Sequence, residues 1–156
     1  MPNVIDDRLK TLNITLPVPA APAANYVSFV KTGNLLFTAG QLPFVDGKLP
    51  ATGLLGGEVE IETGRECARL CAINILAQAK AALGNLDRIT RIVKLTVFVA
   101  STPDFTSQPQ VGNGCSDLMV EILGDKGRHA RSAVGVASLP LNAPVEIEAI
   151  IEFSGE

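Results

Sequence analysis

The run at residues 92–99, IVKLTVFV, constrains the fold more than any other stretch of the chain. It is the most β-branched run in the sequence, and its residues alternate with the period of two that is typical of a strand with one buried face. We expect the buried face to carry every second residue: Val93, Leu95, Val97 and Val99. The other face then carries Lys94, Thr96 and Phe98. Such a strand belongs in a sheet that another layer covers on one side.

Further strands are predicted before and after this run. Alternation over residues 26–31 and 35–39, around the turn at residues 32–34, predicts a β-hairpin. Two apolar runs within residues 129–153, joined by the turn-rich link SLPLNAP, predict two more strands. In the second of these, Glu146 and Glu148 alternate with apolar residues, so both carboxylates should share one face.

Two helices should cover the sheet. Thr63 and Glu66 fit a capping box at the start of a long helix, which Gly84 ends. A second helix is expected from residue 107 or 110 to residue 123. The order of elements is hairpin, helix, strand, helix, strand, strand. This order predicts an α+β fold with two helices on one face of a mixed β-sheet.

The totals fit a single domain over residues 1–156. A short helix is expected at residues 6–12, and the proline-rich residues 17–24 are interpreted as extended chain, because no independent core precedes them. With 47% hydrophobic and 19% charged residues, the chain is not of a disordered type. No apolar run could span a bilayer and the first ten residues do not resemble a secretory signal, so we expect a cytoplasmic protein without a membrane partner.

The residue types restrict the chemistry further. The net charge of −3, with no basic block, disfavours nucleic-acid binding. A single histidine disfavours metal catalysis, and Cys67 and Cys71, one helical turn apart, are interpreted as reduced core thiols. Phosphate-binding glycine motifs are absent from the sequence. A catalytic triad built on His129 and Ser132 is disfavoured, because the chain lacks a nucleophile-elbow motif.

Arg131, Glu146 and Glu148 are charged residues that could meet on two neighbouring strands. A salt bridge is the ordinary interpretation of such a group. The functional interpretation is a carboxylate clamp, in which the guanidinium holds a substrate carboxylate and a glutamate orients water. The residues alone favour the salt bridge. On the same grounds Tyr26 is expected to pack, and Asn113 to cap a helix or form a turn.

Four segments, in this order, resemble the reactive intermediate deaminase family, also called Rid or YjgF-type: GNLLFTAGQLP, RIVKLTVFVASTPDF, ARSAVGVASLP and VEIEAIIE. Members of this family have also been described as endoribonucleases and translation inhibitors. The resemblance covers nearly everything from Asn25 onward. Residues 1–24 therefore form an N-terminal extension to the family domain.

The resemblance implies a chorismate-mutase-like fold and a homotrimer, in which three sheets form a central barrel with the helices outside. Active members hydrolyse reactive enamines and imines to 2-oxo acids and ammonia, in clefts between subunits and without a metal or organic cofactor. The expected partner is thus a small substrate with a carboxylate. The expected activity is that of a 2-iminobutanoate or 2-iminopropanoate deaminase.

The resemblance also assigns roles to individual residues. Arg131 is expected to bind the substrate carboxylate, and Glu146 to position the attacking water. Tyr26, Asn113 and Phe98 are expected to line the substrate cleft.

The chain departs from the family pattern at several positions. Ala133 stands where many deaminases have cysteine, although it still supplies the main-chain carbonyl that this position is expected to offer the substrate. Gly135 and Ala39 replace a common glutamate and a common serine, and the loop at residues 44–57 is long. Two alternatives therefore stay open. One is a noncatalytic trimer that binds small carboxylates or has a regulatory role, and the other, less favoured, is an endoribonuclease or translation inhibitor.

Overall fold

Three α-helices, five β-strands and three short 3₁₀-helices follow one another in the computed structural model, which describes residues 3–19, 21–22 and 24–155. The α-helices are α1 (Val4–Thr11), α2 (Ile61–Leu83) and α3 (Gln108–Leu123). The strands are β1 (Phe29–Thr32), β2 (Leu35–Thr38), β3 (Ile89–Ala100), β4 (Ala130–Val136) and β5 (Val145–Phe153). The 3₁₀-helices span Leu86–Arg88, Gly124–Gly127 and Pro140–Asn142. The expected order of elements is confirmed.

All five strands form one mixed sheet in the order β1-β2-β5-β3-β4. β3 and β4 are parallel, and the other neighbouring pairs are antiparallel. The parallel pair requires a crossover connection, which α3 provides. The sequence-based assumption that the last two strands are neighbours is wrong, because β3 lies between β4 and β5.

Buried and less buried side chains alternate along the central strand β3 almost as expected. Leu95, Val97 and Val99 are buried on the face that the helices cover. Ile92 is the fourth buried residue, whereas Val93 is only half-buried. The reason is a shift in the pairing of β3 with β5 between Ile92 and Lys94, which reverses the alternation at that point.

The helix α2 begins earlier than the capping box predicted. Its first backbone bond runs from the Gly64 N–H to the Glu60 carbonyl, so Thr63 already lies in the first turn and does not cap the helix. Its end at Gly84, with a left-handed φ of 79°, is as expected. None of the described helices is both long and apolar enough to cross a membrane.

The three cysteines lie in the core between the helices and the sheet, as free thiols. Burial raises the pKa of Cys67 to about 11 and that of Cys115 to about 12, and it raises the pKa of Cys71 well above its usual value. The interpretation of Cys67 and Cys71 as core thiols is confirmed.

The helix α1 is part of the domain's core and is not a loose extension. Its Ile5 and Leu9 are buried in the same apolar cluster as the sheet. The Asp87 carboxylate accepts hydrogen bonds from the first backbone N–H groups of α1, and Arg8 donates to the Ile122 carbonyl at 2.9 Å. Asp6 pairs with the Lys80 ammonium at 2.8 Å. These contacts hold α1 against the last turn of α2, the 3₁₀-helix at Leu86–Arg88 and the C-terminal end of α3.

The sheet face that points away from the helices, here called the open face, carries exposed apolar side chains. Val30 and Phe37 pair across the hairpin and are 50% and 39% exposed, and Val134 on β4 is 45% exposed. Phe98 and Ile150 lie on the same face and are half-buried. These residues form two apolar groups, one of Val30, Phe37 and Ile150 and one of Phe98 and Val134, with the Thr96–Glu148 pair between them. Exposed apolar groups of this kind are common at protein interfaces.

The packing of α2 on α3 depends on Gly114, which generates a prediction. A Cβ built on Gly114 would overlap the backbone carbonyl of Arg65. Gly114→Ala should therefore lower the free energy of unfolding by about 1–3 kcal/mol, because the two helices must move apart. Thermal unfolding followed by circular dichroism measures this. Gly155→Ala is the control, since its Cβ would meet open space; equal melting temperatures for the two variants would contradict the prediction.

Candidate active site

Arg131 lies under the helices and not on the open face. It pairs with the buried Leu95 in the parallel ladder, so its side chain points to the same side as α3. Its Nη1 donates to the Asn113 Oδ1 at 2.9 Å and to the Ser116 Oγ at 3.1 Å. Both partners are neutral, and no described carboxylate forms a salt bridge with Arg131. A half-buried guanidinium thus keeps an uncompensated positive charge at the edge of the sheet.

Ser116 also connects Arg131 to the only histidine of the chain. Its Oγ lies 2.9 Å from the His129 Nε2, and the His129 Nδ1 lies 2.6 Å from the Gly127 carbonyl oxygen. A carbonyl can only accept, so Nδ1 carries a proton, and in the neutral imidazole Nε2 accepts from the Ser116 hydroxyl. The serine that His129 contacts is Ser116, and not Ser132, whose pairing with His129 in a catalytic triad the sequence disfavoured.

The first turns of α3 leave room for the guanidinium because residue 112 is glycine. A Cβ at Gly112 would lie 3.3 Å from the Arg131 Nη1 and 3.5 Å from the Val97 side chain. Asn113 is well inside α3, whose N-cap is Ser107, so the expectation that Asn113 caps a helix is wrong. Its amide instead holds the guanidinium.

Glu146 lies on the open face, opposite Phe98 on β3. Desolvation by burial raises the pKa of its carboxyl, and the negative charge of Glu148 raises it further. The chain after β2 passes close over this carboxylate, held by two backbone bonds between Gln41 and Ile147. A Cβ on Gly40 would overlap the Glu146 carboxylate. Glu146 is therefore more enclosed than Glu148, which is exposed.

Arg131 and Glu146 do not meet within one chain. They point to opposite faces of the sheet, with β3 between their strands. From the pairing of Leu95 with Arg131 and of Phe98 with Glu146, they are two strands and three residues apart, or about 10 Å in each direction. The interpretation of these residues as a salt bridge across neighbouring strands is wrong.

The remaining candidates lie in different places. Ala133 follows Arg131 on the same side of β4 and packs against the core. Tyr26 precedes β1, which begins only at Phe29, and its side chain is 56% exposed. The observed strand β1 thus begins three residues later than the strand predicted at residues 26–31. Of the sequence-based candidates, the structure brings Arg131 together with Asn113, and Glu146 together with Phe98.

Sequence reasoning missed Ser116 and the role of His129. One signal was available for Ser116, because residues three apart on a helix share a face and Ser116 follows Asn113 by three. No comparable signal existed for His129. Its contact with Ser116 depends on how the 3₁₀-helix at Gly124–Gly127 turns the chain from α3 into β4.

A mixed sheet under helices, with a half-buried arginine at its edge that contacts two neutral side chains, defines a small α+β domain. The chain belongs to the YjgF family: the family described as "YjgF/chorismate mutase-like, putative endoribonuclease" matches residues 6–152. The protein TCP17 of Trypanosoma cruzi is 50% identical, with 94% of this chain and 92% of that protein covered. A 2-iminobutanoate/2-iminopropanoate deaminase of Dermatophagoides farinae is 30% identical, with 88% and 93% covered.

Two solved structures show the same fold. The crystal structure of Atu1372, a protein of unknown function from Agrobacterium tumefaciens, is 55% identical, with a TM-score of 0.91 over 97% of this chain and 93% of that chain. The structure of Escherichia coli TdcF with bound serine is 29% identical, with a TM-score of 0.65 over 88% of this chain and 94% of that chain. The chorismate-mutase-like fold is thereby confirmed. The 97% coverage means that Atu1372 also matches most of residues 1–24.

The raised pKa of Glu146 generates a prediction about stability. In the folded chain this carboxyl keeps its proton to a higher pH than in the unfolded chain, so its ionisation destabilises the fold as the pH rises through the folded pKa. Glu146→Gln removes that penalty. We expect the variant to melt at a higher temperature than the wild type at pH 8, and the two to converge as the pH falls below the usual range of glutamate.

Glu121→Gln serves as the control for this prediction, because Glu121 is an exposed carboxyl on α3. Its melting temperature should follow the wild type at every pH. A Glu146→Gln variant that gains nothing at pH 8 would show that the carboxylate is adequately solvated.

Proposed function

We propose that the protein hydrolyses small 2-imino acids and their enamine tautomers to 2-oxo acids and ammonia. The observation that carries this proposal is the half-buried Arg131, whose guanidinium contacts only neutral oxygens. A guanidinium binds a carboxylate with two parallel hydrogen bonds. The deaminase of Dermatophagoides farinae acts on imino acids of this type, and TdcF was solved with serine, which also carries a carboxylate.

The reaction needs little from the protein beyond an anchor and a proton acceptor. Water adds to the electrophilic carbon of the imine, and a C–O bond forms as the C=N bond becomes a C–N bond. Glu146 takes the proton of the attacking water and returns it to the nitrogen, which gives a carbinolamine. The hydroxyl proton then passes through Glu146 to the amino nitrogen, and the C–N bond breaks as the C=O bond forms, to give the ketone and ammonia. Because its pKa is raised, the Glu146 carboxylate is a stronger base than an ordinary glutamate.

Arg131 and Glu146 can act on one substrate only if different copies of the chain supply them. Within one chain they point to opposite faces of the sheet. The exposed apolar residues Val30, Phe37 and Val134 give the open face a reason to pack against another copy. A homotrimer with its sheets facing inward would bury them, and the cleft between two copies would be the active site. Tyr26, Phe98 and the carbonyl of Ala133 are proposed to line that cleft.

A second candidate function is a noncatalytic trimer that binds small carboxylates. Ala133, in place of the cysteine of many deaminases, favours it, since the chain keeps the anchor but has no thiol at this position. Both functions require Arg131. They differ in whether bound imine is turned over.

Removal of the anchor tests the proposed activity. An amino-acid oxidase generates 2-imino acids, and semicarbazide traps those that survive. The wild type should reduce the trapped imine, and Arg131→Ala should lower kcat/KM about 100-fold, since charge-assisted hydrogen bonds are worth about 1.5–3 kcal/mol. Arg131→Lys should lie between them, because it keeps the charge and loses the fork. No effect of wild-type protein on the trapped imine would leave only the binding function.

Mixed trimers test whether the site is shared between copies. Arg131→Ala and Glu146→Gln should each be inactive alone. When the two are co-expressed and mix at random, about one interface in four pairs an intact Arg131 with an intact Glu146, so about a quarter of the wild-type activity should return. The pairing is checked by purification through a different tag on each variant. If the co-expressed variants are as inactive as each variant alone, Arg131 and Glu146 act from the same chain and the prediction is wrong.

A further inference from the structure

We propose that Ser116 and His129 are positioning residues that reserve one edge of the Arg131 guanidinium for the ligand's carboxylate. This inference rests on the carboxylate-binding role proposed for Arg131. It goes beyond that role in naming the residues that orient the anchor and the edge that the ligand uses.

The accounting of donors on Arg131 supports this assignment. A guanidinium has five N–H donors, two on each terminal nitrogen and one on Nε. Both protons of Nη1 have partners, the Asn113 Oδ1 and the Ser116 Oγ. Nη2 and Nε together offer the side-on pair of N–H groups that matches the two oxygens of a carboxylate. Because both Nη1 protons already have partners, an incoming carboxylate binds to the edge formed by Nη2 and Nε, and not to the two terminal nitrogens.

With a neutral imidazole at His129, every hydrogen bond in the cluster has one direction. Arg131 can only donate, so the Ser116 oxygen accepts from it, and the Ser116 proton goes to the His129 Nε2. The His129 Nδ1 proton goes to the Gly127 carbonyl. His129 thus gives the Ser116 proton an acceptor and holds the hydroxyl with its lone pairs toward Arg131. His129 has no other polar function in this arrangement.

The hydrogen bonds that start at Arg131 end at Gly127, in a loop that is fixed against α3. A Cβ on Gly127 would overlap the Met119 carbonyl of α3, so the loop before β4 lies directly against the helix backbone. The contacts therefore form a closed loop: α3 packs on Gly127, Gly127 holds His129, and His129 holds Ser116 on the same helix. A guanidinium at the end of such a closed connection loses little additional freedom when a ligand binds.

The test measures binding and turnover separately. Pyruvate, a simple 2-oxo acid, is titrated calorimetrically into the wild type and the variants. Ser116→Ala and His129→Leu should each weaken pyruvate binding about five- to tenfold, the net worth of one ordinary hydrogen bond. Turnover of imines should fall by a similar factor, through KM more than through kcat, because an interaction made in ground and transition states alike is lost.

Conservative variants separate orientation from mere packing. Ser116→Thr keeps the hydroxyl, and His129→Gln keeps an acceptor near the position of Nε2, so both should bind pyruvate within about twofold of the wild type. The double variant Ser116→Ala/His129→Leu should be no weaker than either single one, because both remove the same connection. Ser107→Ala is the control next to α3, since Ser107 is the residue before the helix and its side chain makes no capping hydrogen bond.

Unchanged pyruvate binding in Ser116→Ala and His129→Leu, with melting temperatures near the wild type, would overturn the inference. So would a loss in Ser116→Ala that Ser116→Thr fails to restore. A wild type that binds pyruvate in a Ser116-dependent manner but turns over no imine would remove the deaminase proposal and leave this inference standing.

Discussion

The parallel pairing of β3 with β4 is the constraint on which the candidate site depends. A parallel pair needs a crossover, and α3 provides it on the face where Leu95 is buried. Arg131 pairs with Leu95 and must point to that same face. Its guanidinium therefore meets the first turns of α3, where glycine at position 112 leaves space and Asn113 and Ser116 offer oxygens. The same pairing separates Arg131 from the acidic residues of β5.

Most of the fold could be predicted from the sequence, because its elements are encoded locally. The alternation in β3, the hairpin turn and the stop at Gly84 each depend on a few neighbouring residues. The sequence-based predictions are wrong where contacts between distant residues determine the structure. Thr63 and Glu66 form a plausible cap by themselves, yet α2 gains an earlier turn that begins at Glu60. The error in the strand order has the same cause, since no local pattern indicates that β3 separates β4 from β5.

The candidate site was less predictable than the fold. The residues alone favoured a salt bridge for Arg131, and only the family resemblance made it a carboxylate anchor. Asn113 followed from the same resemblance and proved to contact Arg131. Ser116 and His129 did not follow from the resemblance. Apart from the spacing of three between Asn113 and Ser116, their hydrogen bonds depend on the register of β4 and on the turn before it. A side-chain network of this kind is determined by tertiary packing and leaves little trace in residue spacing.

The separation of Arg131 from Glu146 explains how both can keep their reactivity under the proposed function. If they touched, the guanidinium would lower the pKa of the carboxyl and a salt bridge would occupy the fork that the substrate needs. On opposite faces of one sheet, the guanidinium keeps its charge unpaired, and burial beside Glu148 keeps the pKa of Glu146 raised. The enclosed Glu146 carboxylate alone costs stability when it is ionised. Under the proposed function, another copy of the chain would bring a Glu146 to face an Arg131 with a substrate between them. Assembly would then create the active site without allowing the two groups to neutralise each other beforehand.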